Sequence, residues 1–524
     1  MDAIPDKPAR ELAETTFDRN VVVVAGAGTG KTTLLVNRLV HALMKEPDPV
    51  PMTHLVALTF TNKAATEMKV RLRERLQVLA HPEAASPSDG GAVSLRDVRE
   101  RYGLSTSEVA ARASAALEDL EKAQIGTLHS FAAHLLRLYP LEGGVDPAFQ
   151  EDDGLRFEEH FTAAWDLWLD RELSRQGTHH HLWQAILDVT TVDHLRELVR
   201  ALCSELVELE VLRQQLDEAG LNPVAAEWVR QCQKRAQGLL ESHDRPKRRK
   251  IEQMLAATST LLQHVAEQGL AGLQTVGGEA REWLAKDPKG AVAGWDDEAL
   301  DEAIHIVNIS QELLSVNVDT FKYILKLVAP LVQDIRSSFS HQGWVSFDGL
   351  LAKARALLRD HPAVREQVKR DYRAVLVDEF QDTDPVQYEI ILAACECQGS
   401  CAPDWREMKL EPGKLFIVGD PKQSIYAFRR ADIEAFDRVV EKIAQEGGLV
   451  ETLHTNFRSD ASVLDPVNEV FDRLFQRQPL VQPANVRLEA PPQRSRSLGD
   501  AGVRFHITVP RDGEEAFKTE EASR

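Results

Sequence analysis

The run Ala25-Gly26-Ala27-Gly28-Thr29-Gly30-Lys31-Thr32-Thr33 decides the fold of this chain. It follows the apolar, β-branched segment 21–24 and precedes a helical pattern over 34–43. Glycines in such a turn let backbone amides converge on phosphate oxygens, while Lys31 reaches the β and γ phosphates and the Thr32 hydroxyl ligates magnesium. We therefore predict a phosphate loop in which the whole run contacts nucleotide. A glycine-rich turn without a ligand is the alternative, and the register of strand, loop and helix disfavours it.

Three further apolar segments, 55–60, 374–377 and 415–418, resemble the first and end in small or acidic residues. Most are followed by helical sequence. This order favours parallel strands joined by crossover helices, with ligand chemistry at the carboxyl ends of the strands. We expect an α/β nucleotide-binding core.

Two adjacent carboxylates, Asp378 and Glu379, come directly after the third apolar segment. Beside a phosphate loop, Asp378 would hold the magnesium shell and Glu379 would orient and deprotonate the attacking water. Adjacent acids also occur at helix N-termini, where they suit the helix dipole. The phosphate loop in the same chain favours the catalytic interpretation, and the two motifs together predict an ATP hydrolase that uses Mg²⁺.

Length and composition narrow the class of protein. At 524 residues the chain is too long for one compact core. It is 43% hydrophobic and 27% charged, with no apolar run long enough to cross a bilayer, so we expect no membrane insertion. Residues 1–10 contain no apolar signal region, and five cysteines are too few for a disulfide framework. We expect a cytoplasmic location and reduced cysteines.

The net charge of −20 shows that the chain is not coated with basic residues, as many nucleic-acid binders are. A motor can nevertheless hold a single strand in a local groove by aromatic stacking and a few cations. Charge therefore does not decide whether the chain binds nucleic acid, and the decision depends on motifs.

Four further blocks follow the phosphate loop in chain order. They are Leu-Thr-Phe-Thr-Asn-Lys-Ala-Ala-Thr-Glu-Met at 58–68, Gly-Thr-Leu-His-Ser-Phe at 126–131, Val-Gly-Asp-Pro-Lys-Gln-Ser-Ile-Tyr-Ala-Phe-Arg at 418–429 and Asn-Phe-Arg-Ser at 456–459. With Asp-Glu-Phe-Gln-Asp at 378–382, this set resembles superfamily 1 DNA helicases of the UvrD and Rep type over about 21–459. Asp-Pro-Lys-Gln at 420–423, Asp-Glu-Phe-Gln-Asp-Thr-Asp-Pro at 378–385 and Val-Ser-Phe-Asp-Gly-Leu-Leu at 345–351 favour the helicase–nuclease subunits of the AddA and RecB branch.

The resemblance implies roles for three residues at the nucleotide. Gln423 would touch the γ-phosphate, since its amide offers both a donor and an acceptor. Arg458 would act as an arginine finger from a second core, and Phe457 would lie against adenine. The family often reads adenine with a glutamine before the phosphate loop, but Arg10 lies near that place here.

The resemblance also implies a DNA-binding set, in which aromatic side chains stack on bases and others contact the strand's backbone. Tyr426 and Phe428 would stack, and the remaining members are Thr61, Asn62, His129 and Arg429. The alternative is that both aromatics are ordinary core residues, and that His129 is a hydrogen-bonded core histidine. Arg430 stands where the family usually has glycine.

We expect a RecA-like core of the P-loop nucleoside triphosphatases interrupted by a helical insertion. The predicted domains are 1–140 and 336–452 for the two parts of the core, 141–335 for the insertion, and 453–524 for the start of a second, incomplete motor core. Periodic Leu, Ala and charged residues predict helices over 153–329, and another over 95–122. Residues 81–91 suggest a loop, and the alternation at 503–509 suggests a strand.

Three weaker features allow more than one interpretation. Cys395, Cys397 and Cys401 have metal-like spacing but lack an evident fourth ligand, so we predict no metal there. The histidines at 179–181 are typical of a solvated turn. The basic run 245–250 is either a DNA contact or, more often, a solvated helix start.

The predicted activity is ATP-driven helicase or translocase movement on single-stranded DNA, with 3′ to 5′ polarity implied only by the family. A second helicase–nuclease subunit is the expected partner, and DNA repair or recombination the expected setting. Two alternatives remain open. One is a truncated scaffold that binds nucleotide or DNA without motor activity, and the other is a DNA-independent P-loop ATPase.

Overall fold

A computed structural model describes most of the chain and divides it into two compact units. Unit 1 comprises Met1–Pro147 with Leu350–Arg524, and unit 2 comprises Ala148–Gly349. The described residues are 4–81, 93–174, 177, 179–218, 223–243, 249–288, 295, 297–315, 318–424, 433–475 and 484–491.

The strands of the described residues are β1 Val21–Ala25, β2 Leu55–Thr59, β3 Gln124–Thr127, β4 Gln150–Asp152, β5 Trp344–Ser346, β6 Ala374–Val377, β7 Leu415–Gly419 and β8 Leu449–Leu453. The helices are α1 Lys7–Thr15, α2 Lys31–Met44, α3 Asn62–Ala80, α4 Leu95–Tyr102, α5 Thr106–Asp119, α6 Leu128–Leu138, α7 Leu155–Leu173, α8 His180–Leu187, α9 Val192–Leu202, α10 Leu209–Glu218, α11 Pro223–Ser242, α12 Lys250–Gln268, α13 Gly272–Thr275, α14 Gly278–Leu284, α15 Asp297–Ser315, α16 Val318–His341, α17 Phe347–Asp360, α18 Pro362–Asp371, α19 Pro385–Cys395, α20 Ile433–Gln445 and α21 Ala461–Leu474. No helix in these ranges is both long and apolar enough to cross a bilayer.

The main sheet lies in unit 1 and confirms the predicted α/β class with parallel strands. Across the described part, six strands pair in the order β3-β2-β6-β7-β1-β8, and every pairing is parallel. The four segments predicted as strands are β1, β2, β6 and β7. They are the four inner strands of this order. Parallel strands need crossovers, and the helices between them supply these.

The two edge strands, β3 and β8, were not predicted. All four residues of β3 and most of β8 are only partly buried, whereas β2, β6 and β7 are buried throughout. An edge strand covered on fewer sides needs fewer apolar residues, so β3 reads Gln-Ile-Gly-Thr and β8 contains a Glu-Thr pair. Neither strand stands out as an apolar run.

One hydrophobic cluster holds α2, α3 and α5 against the sheet. It includes Leu35 and Leu39 of α2 with Met68 and Leu72 of α3, which are all 1% exposed or less. Fully burying one such side chain contributes about 1.5–3 kcal/mol. The cluster therefore fixes α2, and with it the loop that precedes α2, relative to the strand ends.

The stretch 95–122 is helical, as predicted, but the structure divides it into α4 and α5. α4 ends at Gly103, whose φ of 68° lies in the left-handed region. Ser105 then starts α5 with a capping box in which Ser105 and Glu108 satisfy each other's backbone amides. A glycine after one helix and a serine cap before the next are stop and start signals that the apolar periodicity conceals.

Unit 2 is mostly helical, as predicted, and contains α7 to α16 with a small parallel pair of β4 and β5. Two hydrophobic clusters stabilise it. One contains Trp165 and Trp168 of α7 with Trp183 of α8, and the other is built around Met254, Leu255 and other buried residues of α12.

Several predictions concern segments or boundaries that the structure does not test. The predicted strand at 503–509 and almost all of the predicted loop at 81–91 lie outside the described residues. The predicted assignment of 1–140, 141–335, 336–452 and 453–524 to parts of two motor cores stays a prediction.

Candidate nucleotide and DNA site

The candidate site lies along the carboxyl edge of the main sheet. Because the pairings are all parallel, the loops after β3, β2, β6, β7, β1 and β8 leave the sheet at the same edge and in that order. Neighbouring strands are about 4.8 Å apart, so the loops after β2 and β1 start roughly 14 Å from each other.

The phosphate loop begins where β1 ends and closes at the first turn of α2. Gly28 and Gly30 have φ values of 73° and 83°, a region that other residues rarely adopt. Thr29 closes the turn by donating its hydroxyl to the Gly26 carbonyl at 2.8 Å. The loop therefore leads directly into helix amides that have no intrahelical partner, which is an arrangement suited to phosphate.

Packing leaves no room for a side chain at Gly28, and at Gly26 a side chain would fit only if the end of the Leu488 side chain moved. A Cβ at Gly28 would lie 2.7 Å from the Cβ of Arg458 and 2.8 Å from Asn456 Nδ2. A Cβ at Gly26 would lie 2.9 Å from Leu488 Cδ2. The segments around 456–458 and 488 thus lie directly against the phosphate loop within unit 1.

The two carboxylates after β6 approach this loop. Glu379 Oε2 lies 2.6 Å from Lys31 Nζ. Glu379 has φ 51° and ψ 43°, the one positive φ of a non-glycine residue in the described ranges. Such a conformation costs about 1–2 kcal/mol and is typical of functional sites.

A chain of hydrogen bonds joins the loop after β6 to the loop after β7. Gln381 is 1% exposed, donates from Nε2 to Glu379 Oε2 at 2.8 Å and accepts at Oε1 from the Asp420 amide at 2.8 Å. Asp420 in turn accepts from Gln423 Nε2 at 2.8 Å. The predicted γ-phosphate contact and the predicted base therefore belong to one connected network.

Burial perturbs the acidic groups of the site. Burial, and after it the nearby Glu379 carboxylate, raise the pKa of Asp378 to about 6, with Lys31 acting in the opposite direction. Burial and Glu379 likewise raise the pKa of Asp382 to about 6. Perturbed carboxylates of this kind concentrate at functional sites, because charge there serves a ligand rather than stability.

The raised pKa of Asp378 predicts a substitution that stabilises the protein while removing a proposed magnesium ligand. The folded-state pKa, about 6, exceeds the ordinary value of 3.8. The folded state therefore binds more protons between these values, and stability from this group is lost as the pH rises through 6. Asp378→Asn should raise stability at pH 7.5 by about 2 kcal/mol.

Thermal melting at pH 7.5 and pH 5 measures this effect, and the advantage of Asp378→Asn should shrink at pH 5. Asp166→Asn, on the exposed face of α7, is the matched control and should change little at either pH. A lower melting temperature for Asp378→Asn at pH 7.5 would show that its carboxylate stabilises the fold.

The segment after β8 contacts the phosphate loop through its backbone and one side chain. Asn456 Nδ2 donates to the Ala27 carbonyl at 2.6 Å, and the Phe457 amide donates to the Gly28 carbonyl at 2.8 Å. Arg458 follows with an exposed side chain. The structure places Arg458 in unit 1 with the phosphate loop, whereas the resemblance predicts an approach from a second core.

Arg10 of α1 lies beside Phe457. Its guanidinium binds both oxygens of Asp6, at 2.9 and 3.0 Å, and lies 5.0 Å from the centre of the Phe457 ring. Asp6 also accepts from the amides of His454 and Thr455. Burial raises the pKa of Asp6, but the bonds from Arg10 and Thr455 outweigh it and the net pKa is lowered. The Asp6–Arg10 pair therefore ties α1 to the end of β8.

The predicted DNA contacts in the described part lie at the other side of the same edge. Thr61 and Asn62 follow β2 and are exposed, and His129 follows β3 and is half-buried. β2 and β3 pair with Thr59 opposite Thr127, which brings the starts of α3 and α6 together. Tyr426, Phe428 and Arg429 lie outside the described residues, and their roles stay predictions.

The side chains at the loop fit Mg²⁺ and a triphosphate. Thr32, at the start of α2, and Asp378, 9% exposed, offer the oxygen donors that Mg²⁺ prefers. Asp382 Oδ1 is buried and has no hydrogen-bond partner among the described residues. Lys31 and the two positive-φ glycines suit phosphate.

Gln381, Asn456 and the Asp6–Arg10 pair are features whose roles the sequence did not reveal. Gln381 and Asn456 belong to motif blocks, but no pattern in the sequence states their partners. Asn456 contacts a residue 429 positions away, and Gln381 meets one 39 positions away. Only the folded chain brings these groups together.

The structure also describes parts of the three weaker features of the sequence, which are the cysteine cluster, the histidine run and the basic run. Cys395 is buried at the end of α19, and burial raises its pKa to about 12; Cys397 is half-buried and Cys401 exposed. Within the described residues, no group of three or more His, Cys, Asp or Glu side chains could hold a metal. His179 pairs with Glu172 at 2.9 Å. Of the basic run, Lys250 begins α12.

Comparisons with known proteins agree with this arrangement. The family model described as UvrD/REP helicase N-terminal domain matches residues 7–444. A protein of Listeria welshimeri, named as an ATP-dependent helicase/nuclease subunit, is 25% identical over 90% of this chain and 40% of its own length. One of the same name from Bacillus thuringiensis strain Al Hakam is 27% identical over 87% of this chain and 38% of its own length. The chain thus spans about two fifths of these relatives.

Proposed function

The chain belongs to the UvrD/REP helicase family, and from this membership we propose that it hydrolyses ATP to move along single-stranded DNA. The observation that carries the proposal is the layout of one sheet edge. The loops after β6, β7, β1 and β8 hold the nucleotide candidates, and those after β2 and β3 hold DNA candidates. One edge of the sheet therefore carries both sets of candidate residues.

At the nucleotide side, each residue has a distinct task. Lys31 and the loop amides bind the phosphates, and Thr32 and Asp378 hold Mg²⁺, which neutralises charge on the phosphates when bound. Glu379 accepts a proton from the attacking water. A phosphate that binds Lys31 competes with Glu379 for the ammonium group, because the two side chains form an ion pair. Phosphate binding would therefore release Glu379 for its task.

The hydrogen-bonded chain from Gln423 through Asp420 and Gln381 to Glu379 supports communication across the edge. Gln423 would sense the γ-phosphate, and it is followed closely in the sequence by Tyr426, Phe428 and Arg429, the predicted DNA contacts. Thr61, Asn62 and His129 would complete the DNA surface. Movement would run 3′ to 5′, as the resemblance implies.

The relatives' printed names support a wider setting. Each is named as one subunit of an ATP-dependent helicase/nuclease, which supports a second subunit as the partner of this chain. We further propose, as the family resemblance implies, that the chain acts in DNA repair or recombination and works in the cytoplasm. A scaffold without turnover and an ATPase indifferent to DNA are the competing functions, and turnover measurements separate all three.

Lys31→Ala tests the nucleotide assignment. Removing a cation that clamps a transferring phosphoryl group should lower turnover by about 10²- to 10³-fold and weaken nucleotide binding. Turnover is measured with and without single-stranded DNA, which should stimulate the unmodified chain. Lys45→Ala, at the other end of α2, is the matched control. Unchanged turnover in Lys31→Ala would refute the phosphate loop, and turnover indifferent to DNA would favour the simple ATPase.

Replacing Tyr426 and Phe428 by alanine tests the DNA assignment. Each lost stack should weaken single-strand binding by about 1–3 kcal/mol with little dependence on base sequence. Fluorescence anisotropy with labelled oligonucleotides of different composition measures the loss. If the variants instead melt early and bind DNA normally at lower temperature, the aromatics belong to a hydrophobic core.

A further inference from the structure

The geometry points to Asn456 as a positioning residue that fixes Arg458 against the phosphate loop. The inference rests on the proposed ATP hydrolysis and adds a residue to it. Asn456 would act through Arg458, without touching the nucleotide itself.

Both ends of the Asn456 amide are used. Its Nδ2 donates to the Ala27 carbonyl at 2.6 Å, and its Oδ1 accepts from the amides of Arg458 at 2.9 Å and Ser459 at 2.8 Å. The residue is 3% exposed. A side chain must offer a donor and an acceptor at once to make these bonds, which an aspartate or a leucine does not. The amide therefore links the middle of the phosphate loop to the turn that carries Arg458.

The fit between this turn and the loop is close. The Phe457 amide donates to the Gly28 carbonyl at 2.8 Å, next to the Asn456–Ala27 bond. Gly28 leaves no room for a side chain, because its Cβ would meet Arg458 and Asn456. Two neighbouring hydrogen bonds and a steric stop thus set the distance between the loop and the Arg458 backbone.

The other side of the turn is anchored to the sheet. Leu453 at the end of β8 pairs with Ala25 at the end of β1. Asp6 binds the amides of His454 and Thr455, and the Asn456 amide donates to the Glu489 carbonyl at 2.8 Å. The backbone amides of residues 454–456 are therefore all held by hydrogen bonds. Beyond residue 456, the Phe457–Gly28 backbone bond and the Asn456 side chain together fix where the Arg458 backbone lies.

Asn456→Asp is the sharpest change, because it keeps the acceptor for the amides of Arg458 and Ser459 but sets an oxygen against the Ala27 carbonyl. The Asn456–Ala27 bond is then lost, and the Phe457–Gly28 bond alone still joins the turn to the loop. A reacting group displaced by about 1 Å can lose 10²-fold in rate, so turnover should fall about 100-fold. Nucleotide affinity should change much less, since Lys31 and the loop amides remain.

A double-mutant cycle distinguishes positioning from a general loss of structure. If Asn456 acts through Arg458, Asn456→Asp should cost little further turnover in an Arg458→Ala background, because residues that act together are non-additive. If the two losses multiply, Asn456 does not act through Arg458 and the inference is overturned. A KM that rises while kcat is unchanged overturns it as well.

Two further variants keep the test decisive. Asn20→Asp makes the same change at a buried asparagine at the other end of β1, where its side chain accepts from the Leu415 amide. It should leave kcat unchanged. Asn456→Ser, too short to reach Ala27, replaces Asn456→Asp in the cycle if the latter melts below the assay temperature. If the chain shows no ATP turnover that depends on Lys31, the proposed function itself is refuted. If the chain is active but the two losses in turnover multiply, only the role of Asn456 is refuted.

Discussion

Replacing Arg458 by alanine is expected to lower ATP turnover by about 10³- to 10⁵-fold, which is the factor in rate that an arginine finger contributes to phosphoryl transfer. The Arg458 Cβ lies close to Gly28 of the phosphate loop, and the residue is exposed rather than buried in the core. A group in this place can stabilise charge that develops on the phosphate during transfer. Nucleotide affinity should fall far less than turnover, because Lys31 and the loop amides still bind the phosphates. Steady-state turnover and equilibrium nucleotide binding measure the two effects.

Arg487→Ala is the matched control for this prediction. Arg487 is an exposed arginine in the neighbouring segment, paired with Asp472 at 2.7 Å. The Arg487→Ala substitution should leave turnover close to that of the unmodified chain. Arg458→Lys should recover only part of the loss, since a lysine keeps the charge but not the planar fork. Full activity in Arg458→Ala would show that another cation serves the phosphate.

Replacing Glu379 by glutamine is expected to lower hydrolysis by about 10²- to 10⁴-fold while nucleotide binding is kept or strengthened. The amide preserves the shape of the side chain but cannot accept the proton of the attacking water. Loss of the carboxylate also removes the 2.6 Å ion pair that competes with phosphate for Lys31. Single-turnover hydrolysis and nucleotide affinity, measured on one preparation, separate the chemical step from binding.

Glu121→Gln controls for the loss of an ion-paired carboxylate, since Glu121 pairs with Lys69 at 2.6 Å away from the loop. It should change neither quantity. A parallel fall of binding and hydrolysis in Glu379→Gln would mean that the Glu379–Lys31 pair has a structural role.

The end of β6 combines two features that oppose stability. Asp378 has a pKa raised by burial, and Glu379 occupies a left-handed backbone conformation. Each costs free energy in the folded state, and both lie where magnesium and water would be handled. Residues selected for stability alone would be different, which is typical of catalytic positions.

Much of the main sheet was predictable because its central strands are buried. β1, β6 and β7 are apolar runs in which nearly every residue is buried, as central strands of a parallel sheet require. β3 and β8 were missed because an edge strand tolerates polar residues. The break between α4 and α5 was missed because Gly103 and Ser105 interrupt a helix without interrupting its apolar spacing.

The candidate site was predictable as a set of motifs and less so as an arrangement. The phosphate loop is a local structure, so strand, positive-φ glycines and helix are all encoded within about a dozen consecutive residues. Thr61, Asn62 and His129 were assigned by resemblance, and their placement at the starts of the neighbouring helices α3 and α6 follows from the pairing of β2 with β3. Gln381 and Asn456 stood inside motif blocks, but their bonds depend on distant carbonyl and amide groups.

By itself, the sequence determined the class of fold, the phosphate loop and the acidic strand end, because each depends on residues that are neighbours in the chain. The tertiary structure decided which of these elements meet. Lys31 and Glu379 are 348 positions apart, and Asn456 and Ala27 are 429 apart. Such pairs form only when the strand order β6-β7-β1-β8 sets the loops side by side. That order results from packing over the whole sheet, and no local pattern of residues records it.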